Sequence, residues 1–282
     1  MGAAALRAAQ AVNPPVDAEE LRARVASMFW YHSIDLPGGI TTPGVSQTPP
    51  LQGDELPDLA GRSVIDIGAF DGYYSFAAER LGATRVVALD HYAWCVDFAR
   101  RQAYWDECRA LGRIPDPTRD LTDFWLPDAP GRAGFDLARA ALASSVETVV
   151  GDFMTLDLAE LGSFDVSLFL GYLYHVREPL WALERLRRIT REVAVIETHA
   201  VVVEGYRDAS LMLFHPGDEL GGDFTNWYVP TEAALHGLCR AAGFSRVTTV
   251  RSHGFDDCGE AAPGGGVVPA FRDFRVTVHA FV

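Results

Sequence analysis

The run Val64-Ile65-Asp66-Ile67-Gly68-Ala69-Phe70-Asp71-Gly72-Tyr73-Tyr74-Ser75-Phe76 constrains this chain more than any other stretch. A β-branched segment carries an acid and ends in two glycines four positions apart, after which a helical period (Tyr74, Ala77, Ala78, Leu81) sets in. The run therefore reads as strand, tight turn and helix. Gly68 permits a sharp turn and close approach of a ligand to the backbone, and Gly72 lets the helix begin against the strand with no Cβ in the way. A second apolar strand, 85–89, ends in Asp90. An ionised carboxylate only accepts hydrogen bonds, which at a strand tip suits a pair of vicinal hydroxyls such as those of a ribose.

The glycine spacing discriminates between ligands. A dinucleotide site uses G-x-G-x-x-G to cradle a pyrophosphate; here Phe70 stands at the middle glycine, and Asp71 puts a negative charge where phosphates would lie. The pattern Asp66-x-Gly68-x-x-x-Gly72 instead resembles the first motif of the class I S-adenosylmethionine (SAM) methyltransferases. That resemblance implies a turn lying against the amino-acid end of SAM, with Asp90 holding the ribose.

Composition sets the remaining bounds. The chain has 282 residues, 49% of them apolar, enough for one domain with elaborations. It contains no run of about eighteen apolar residues of the kind that spans a membrane. The alanine-rich segment through Pro14-Pro15 lacks the apolar core of a secretory signal, so a frayed lead-in and a cytoplasmic location are expected. Cys95, Cys108, Cys239 and Cys258 lie far apart and imply neither a zinc site nor a disulfide framework. Acids outnumber bases 38 to 24, a formal charge of −14, which argues against a partner held by its phosphates and for a small-molecule substrate. Nothing in the sequence sets the oligomeric state.

In chain order, residues 17–31 form an expected amphipathic helix capped by Asp17. It runs into Trp30-Tyr31-His32 and a Gly/Pro-rich loop, read either as a helix end packing its aromatics or as a substrate lid. Residues 1–60 thus form an N-terminal helix and lid preceding a binding domain over 61–282. After Asp90 comes a helix over 92–111, then an irregular insertion at 112–133 with Phe124 and Trp125, read as a flap. A helix at 134–144 precedes a strand at 146–150 and Gly151-Asp152-Phe153-Met154. The segment 164–175 reads as a buried strand running into the polar tip Tyr172-Leu173-Tyr174-His175. A helix at 179–189 and a strand at 193–196 end in Glu197-Thr198-His199. Then 224–231 leads into a helix closed by Gly243, and 245–251 and 272–282 read as an antiparallel pair joined by a hairpin at 256–269. There is no internal repeat.

The fold these elements spell is α/β: a doubly wound, Rossmann-like, seven-stranded, mostly parallel sheet with an antiparallel edge. Several stretches together resemble the tRNA wobble-uridine 5-oxyacetic acid methyltransferase-like family, which also includes small-molecule enzymes. They are Asp66-x-Gly68-x-x-x-Gly72-Tyr73, Leu173-Tyr174-His175 before Pro179-Leu180, Glu197-Thr198, and Trp227-Tyr228-Val229-Pro230-Thr231 before Ala242-Gly243-Phe244, spanning roughly residues 60–255. The resemblance implies SAM as cofactor and S-adenosylhomocysteine (SAH) as product, held by Asp66, Gly68, Phe70, Gly72, Asp90, His91, Gly151, Asp152, Phe153 and Leu170. Within that set, Asp152 meets the adenine amine and Phe153 or Met154 covers the ring.

The sulfonium methyl is an electrophile, so the protein has to align a nucleophile, exclude water and, for a hydroxyl acceptor, supply a neutral base. His175, His199 and His32, with Tyr174, are the candidates for that chemistry. Glu197 is a possible orienter and, with Tyr31, Trp125, Tyr172 and Trp227, lines the acceptor side. This wealth of aromatics favours an apolar or aromatic natural-product acceptor. The alternatives are transfer to wobble uridine, SAM binding without catalysis, and metal-assisted O-methylation, for which Glu197 and His199 alone are too few ligands. NADH-dependent redox chemistry is the weakest. No metal is expected.

Overall fold

The computed structural model describes residues 17–253 and 271–282. The lead-in and the 256–269 hairpin expected from sequence lie outside the described residues. Seven strands form one mixed sheet, parallel apart from an antiparallel edge, as the sequence pattern requires. They are β1 (Ser63–Ile67), β2 (Arg85–Asp90), β3 (Glu147–Val150), β4 (Phe164–Leu170), β5 (Thr190–Val203), β6 (Arg246–His253) and β7 (Phe271–Phe281). Six helices of eight residues or more alternate with them: α1 (Ala18–Ala26), α2 (Tyr73–Arg80), α3 (Phe98–Ala110), α4 (Ala133–Ala141), α5 (Pro179–Ile189) and α6 (Glu232–Ala241).

Contacts divide the chain into two compact units, one through Leu51 together with Asp58–Glu160, the other Gln52–Pro57 with Leu161–Val282. In the first, β1 pairs with β2 in parallel register (Ile67 beside Leu89), and β2 pairs with β3 (Asp90 beside Val150). The β1 side chains from Val64 to Ile67 are all buried. Phe135 of α4 is fully buried against Phe76 of α2 and against Trp94, with ring centroids 5.1 and 5.2 Å away. A Cβ at Gly72 would lie 2.6 Å from both phenylalanine rings, and its φ is +87°, so space and backbone both demand glycine there.

The first unit corrects two helix boundaries. The helix expected over 17–31 ends at Ala26. Trp30 instead turns inward, fully buried, its indole N–H donating to Val25 O at 3.0 Å, while Val45 N and Ser46 N donate to Trp30 O and Tyr31 O. The helix expected over 92–111 is broken at Val96-Asp97, because the insertion pairs there. Asp97 N donates to Phe124 O, Leu126 N donates to Cys95 O, and Val96 bridges Trp125. The Asp97 side chain then caps the restarted helix at Arg100 N. Phe124 is buried, so part of the 112–133 insertion is core.

In the second unit β4 and β5 run parallel, and β5, β7 and β6 follow as antiparallel neighbours. The strand expected at 193–196 is fourteen residues long. It reaches 203 because β7 pairs with it throughout, from Phe281 beside Val193 to Phe271 beside Val203. Glu197-Thr198-His199 is therefore mid-strand, with Glu197 level with Leu170, the last residue of β4. The strand expected through 175 stops at Leu170, and a 3₁₀ turn carries Leu173–His175. Helix α5 places Pro179 in its first turn and buries Ala182, Leu183, Leu186 and Ile189. Thr231 caps α6: its hydroxyl accepts from Ala234 N and Leu211 N and donates to Ala209 O at 2.6 Å.

Thr231→Val keeps the shape and removes that whole set. Because buried backbone groups lose partners as well as the cap, the expected cost is about 2–3 kcal/mol, above the ~1 kcal/mol of a simple N-cap. Urea unfolding measures it, and a loss below ~1 kcal/mol would mean the hydroxyl acts as a cap alone.

Candidate active site

In the first unit the site is built on the β1–α2 turn. Gly68 (φ +80°) and Ala69 both donate backbone N–H to Leu89 O, which ties the turn to the end of β2. Phe70 has φ +50°, a conformation costly for a side-chain-bearing residue. Its N–H donates to Asp90 Oδ2 at 3.0 Å, and its carbonyl accepts from the buried Trp94 indole at 2.7 Å. The other Asp90 oxygen accepts from Ala93 N. The His91 backbone N–H also bonds this carboxylate, so three of its roughly four lone-pair sites serve the fold and it keeps capacity for a further hydroxyl donor.

Asp66 lies beneath the turn, where its carboxylate accepts from the Ser75 hydroxyl at 2.6 Å. Asp66 and Asp90 are both deeply buried, and burial pushes each carboxyl up to about 6 against the hydrogen bonds that favour the ion. Asp71, which the sequence marks only as the wrong charge for phosphate, is the hub of the N-terminal segment. It accepts from Tyr31 N, His32 N and His32 Nδ1, at 2.9, 2.6 and 2.7 Å. The His32 ring stacks on Tyr73 (centroids 5.1 Å apart) and meets Tyr31 edge-on. Of the expected histidines, His32 is the one the structure joins to the glycine turn.

Further along the unit, His91 lies against Trp125 with ring centroids 5.4 Å apart, and burial lowers its pKa against the opposing charge of Asp152. The Asp152 carboxylate accepts from Met154 N and the Thr155 hydroxyl, so it closes the turn after β3 and Gly151. Phe153 is fully buried in the core, and half-buried Met154 is its apolar neighbour with accessible surface.

The second unit gathers Tyr174, Glu197 and His199 around a residue that sequence reasoning missed, Arg275, with His175 and Trp227 joined to Tyr174. Its guanidinium grips Glu197 bidentately, Nε to Oε1 and Nη2 to Oε2, and lies over the Tyr174 ring. Cross-strand register sets His199 directly beside Arg275. Burial, followed by the charges of Arg275, His175 and His215, lowers His199 to about 3, so it is a neutral imidazole at ordinary pH. His175 Nδ1 lies 2.8 Å from the Thr225 hydroxyl, which donates to Asp223. Trp227 N donates to Tyr174 O, and Tyr172 packs on Phe169 at the end of β4, beside half-buried Leu170.

No family model matches the chain. The tRNA U34 carboxymethyltransferase of Idiomarina loihiensis is 24% identical over 195 residues, covering 69% of this chain and 49% of the relative. The enzyme of the same name from Marinobacter nauticus is 26% identical over 196 residues, 69% and 47% respectively. The chain spans about half the length of these curated relatives. Among solved structures, the N-terminal domain of EvdMO1 with SAH bound matches with a TM-score of 0.58 at 18% identity, over 95% of this chain and 98% of that one. The same domain in the presence of SAH and D-fucose gives 0.56.

The chain has the Rossmann-like fold of the SAM-dependent methyltransferases.

In this methyltransferase fold the order β1, glycine turn, α2, β2, Asp90 is the part nearest to the sequence motif, and here it carries the buried carboxylates. Because their folded pKa is raised, Asp66 and Asp90 stabilise the fold fully below the unfolded carboxyl range, and that stability is lost as pH rises through about 6. Asp66→Asn removes one such titration. The stability of the variant relative to wild type is expected to be unchanged near pH 4 and to improve by roughly 2–3 kcal/mol towards pH 7. Denaturant unfolding at both pH values measures it, and a difference that shrinks as pH rises would contradict the burial argument.

Proposed function

We propose that this SAM-dependent methyltransferase acts on a small molecule bearing a hydroxyl or an aromatic ring, with SAM held at the β1–α2 turn and the tip of β2. The observation that carries the reading is the set of carboxylates around the turn, Asp66, Asp71 and Asp90, each at most 5% exposed. Three acids around one turn oppose a pyrophosphate and suit a ligand with a positive sulfonium. The residues present fit SAM: Asp90 keeps acceptor capacity for a ribose hydroxyl beside its three backbone donors, and glycine at 68 leaves the backbone open to a close ligand. Bound there, SAM supplies an electrophilic methyl. The chain's own task is to orient the acceptor and take up a proton, for which His32, His175, His199 and Tyr174 are the available groups.

The acceptor is proposed to be small rather than tRNA on electrostatic grounds. The net charge is −14, and the 24 basic residues are all arginine, so the chain has no lysine. The wobble-uridine reading stands as the alternative because the curated relatives carry that name. Natural-product chemistry and a cytoplasmic setting are part of the same proposal, and no helix of the described residues is long and apolar enough to cross a membrane.

Isothermal titration with SAM, SAH and NADH tests the reading. Micromolar binding of SAM and SAH is expected, weakened at least tenfold (about 1.4 kcal/mol) in Asp90→Asn, with no heat from NADH. Folded protein that takes NADH, or that takes neither SAM nor SAH, would overturn it.

A further inference from the structure

Resting on the reading above, one group of side chains in the first unit goes further than cofactor binding. Around the glycine turn, large aromatic side chains stand in water where a monomeric surface would usually hide them: Phe29 is 65% exposed and Tyr31 36%. Both contact the half-buried Phe70 ring, at centroid distances of 6.2 and 5.4 Å, and Phe70 in turn approaches Phe98. Phe70 is itself the residue held at φ +50° by Asp90 and Trp94, so this aromatic ledge is fixed to the cofactor turn.

His32 adjoins the ledge. A carboxylate has no proton to donate here, so the 2.7 Å contact to Asp71 assigns the neutral ring's hydrogen to Nδ1. The lone pair is then on Nε2, which makes no hydrogen bond among the described residues, and the side chain keeps 17% of its surface. The ring cannot turn away without breaking the Asp71 bond and leaving its stack on Tyr73. An oriented imidazole, backed by a buried carboxylate and beside an exposed aromatic ledge, is the arrangement that takes a proton from a hydroxyl on a flat ring.

We propose that Phe29, Tyr31 and Phe70 bind the ring of a phenolic acceptor and that His32, positioned by Asp71, is the base that takes its hydroxyl proton. The proton passes from the phenol oxygen to His32 Nε2. That oxygen's electron pair forms the new O–CH₃ bond, the methyl–sulfur bond breaks with its pair going to sulfur, and SAH leaves while the imidazolium later loses its proton to water. The proton gap decides between acceptors. A phenol has a reference pKa of ~10, whereas an aliphatic hydroxyl is about as weak an acid as water, at ~16, far out of reach of an imidazole. A neutral amine needs no proton removed before it attacks.

Two readouts test this, on wild type, His32→Gln and Phe29→Ala/Tyr31→Ala, after SAH titration shows each protein folded and SAH-competent. In the first, 4-nitrophenol is titrated into the SAH-bound protein and followed by difference absorbance. Wild type is expected to bind it saturably and to enrich its phenolate form, His32→Gln to bind without that enrichment, and the ledge variant to bind about tenfold more weakly. In the second, methyl transfer from SAM is measured for phenol, 4-nitrophenol, benzyl alcohol and aniline. For phenol, His32→Gln is expected to lower turnover 10²–10⁴-fold. For 4-nitrophenol above its own ionisation the loss should be under tenfold, a rescue that a merely structural histidine would not show. Equal losses on both phenols, or transfer to aniline or benzyl alcohol with no phenol bound or methylated, would overturn the proposal. Absence of SAH binding in wild type would instead sink the methyltransferase reading beneath it.

Discussion

The first unit depends on one residue held where its side chain does not favour it. Phe70 occupies the left-handed region, a strain of order 1–3 kcal/mol, and both of its peptide groups are tied down, the N–H by Asp90 and the carbonyl by the Trp94 indole. Removing either partner would release the strain and leave a poorly solvated peptide group unpaired. The same carboxylate that braces the turn therefore defines the end of β2, and the next acid along, Asp71, fastens the N-terminal segment through Tyr31 and His32. Turn, strand tip and N-terminal aromatics form one mechanical unit because three carboxylates each accept more than their own local structure offers or stand beside one that does.

That dependence explains which features were legible in the sequence. The strand, the glycines and Asp90 were readable because their logic is local: a β-branched run, two positions that need glycine, an acid at a strand tip. Gly72 is the clearest case, since φ +87° and two phenylalanine rings 2.6 Å from any Cβ leave no alternative. Trp94 and Arg275 were not readable. Trp94 reads as a helix-face residue until the turn it serves, twenty-four positions back, is in place. Arg275 reads as one more polar residue on an edge strand until register sets it beside His199 and near Glu197, seventy-eight positions away. The broken helix at Val96-Asp97 and the long β5 have the same cause: in each, a distant segment supplies the hydrogen bonds that local propensity would have placed elsewhere. Asp71 was visible but read only for what its charge excludes.

The two units handle charge in opposite ways. Around the glycine turn of the first, buried carboxylates dominate, and His32 is the basic side chain hydrogen-bonded to one of them, Asp71. In the second, Arg275 grips Glu197, and burial, followed by the charges of Arg275, His175 and His215, keeps His199 neutral. Among the described residues, buried His215 Nε2 and Thr277 Oγ1 make no hydrogen bond. These features point to no ligand as specific as the one the aromatic ledge and oriented His32 of the first unit suit.

The central claim is that the turn at 68–72 and the tip of β2 hold SAM. Hydrogen–deuterium exchange with and without SAH tests it most directly, because it reports peptide by peptide where ligand reaches the backbone. The account predicts slowed exchange in peptides covering 66–74 and 90–95, extending to Tyr31-His32 through Asp71. Protection confined to other segments, or SAH binding that leaves 66–74 and 90–95 unchanged, would contradict it.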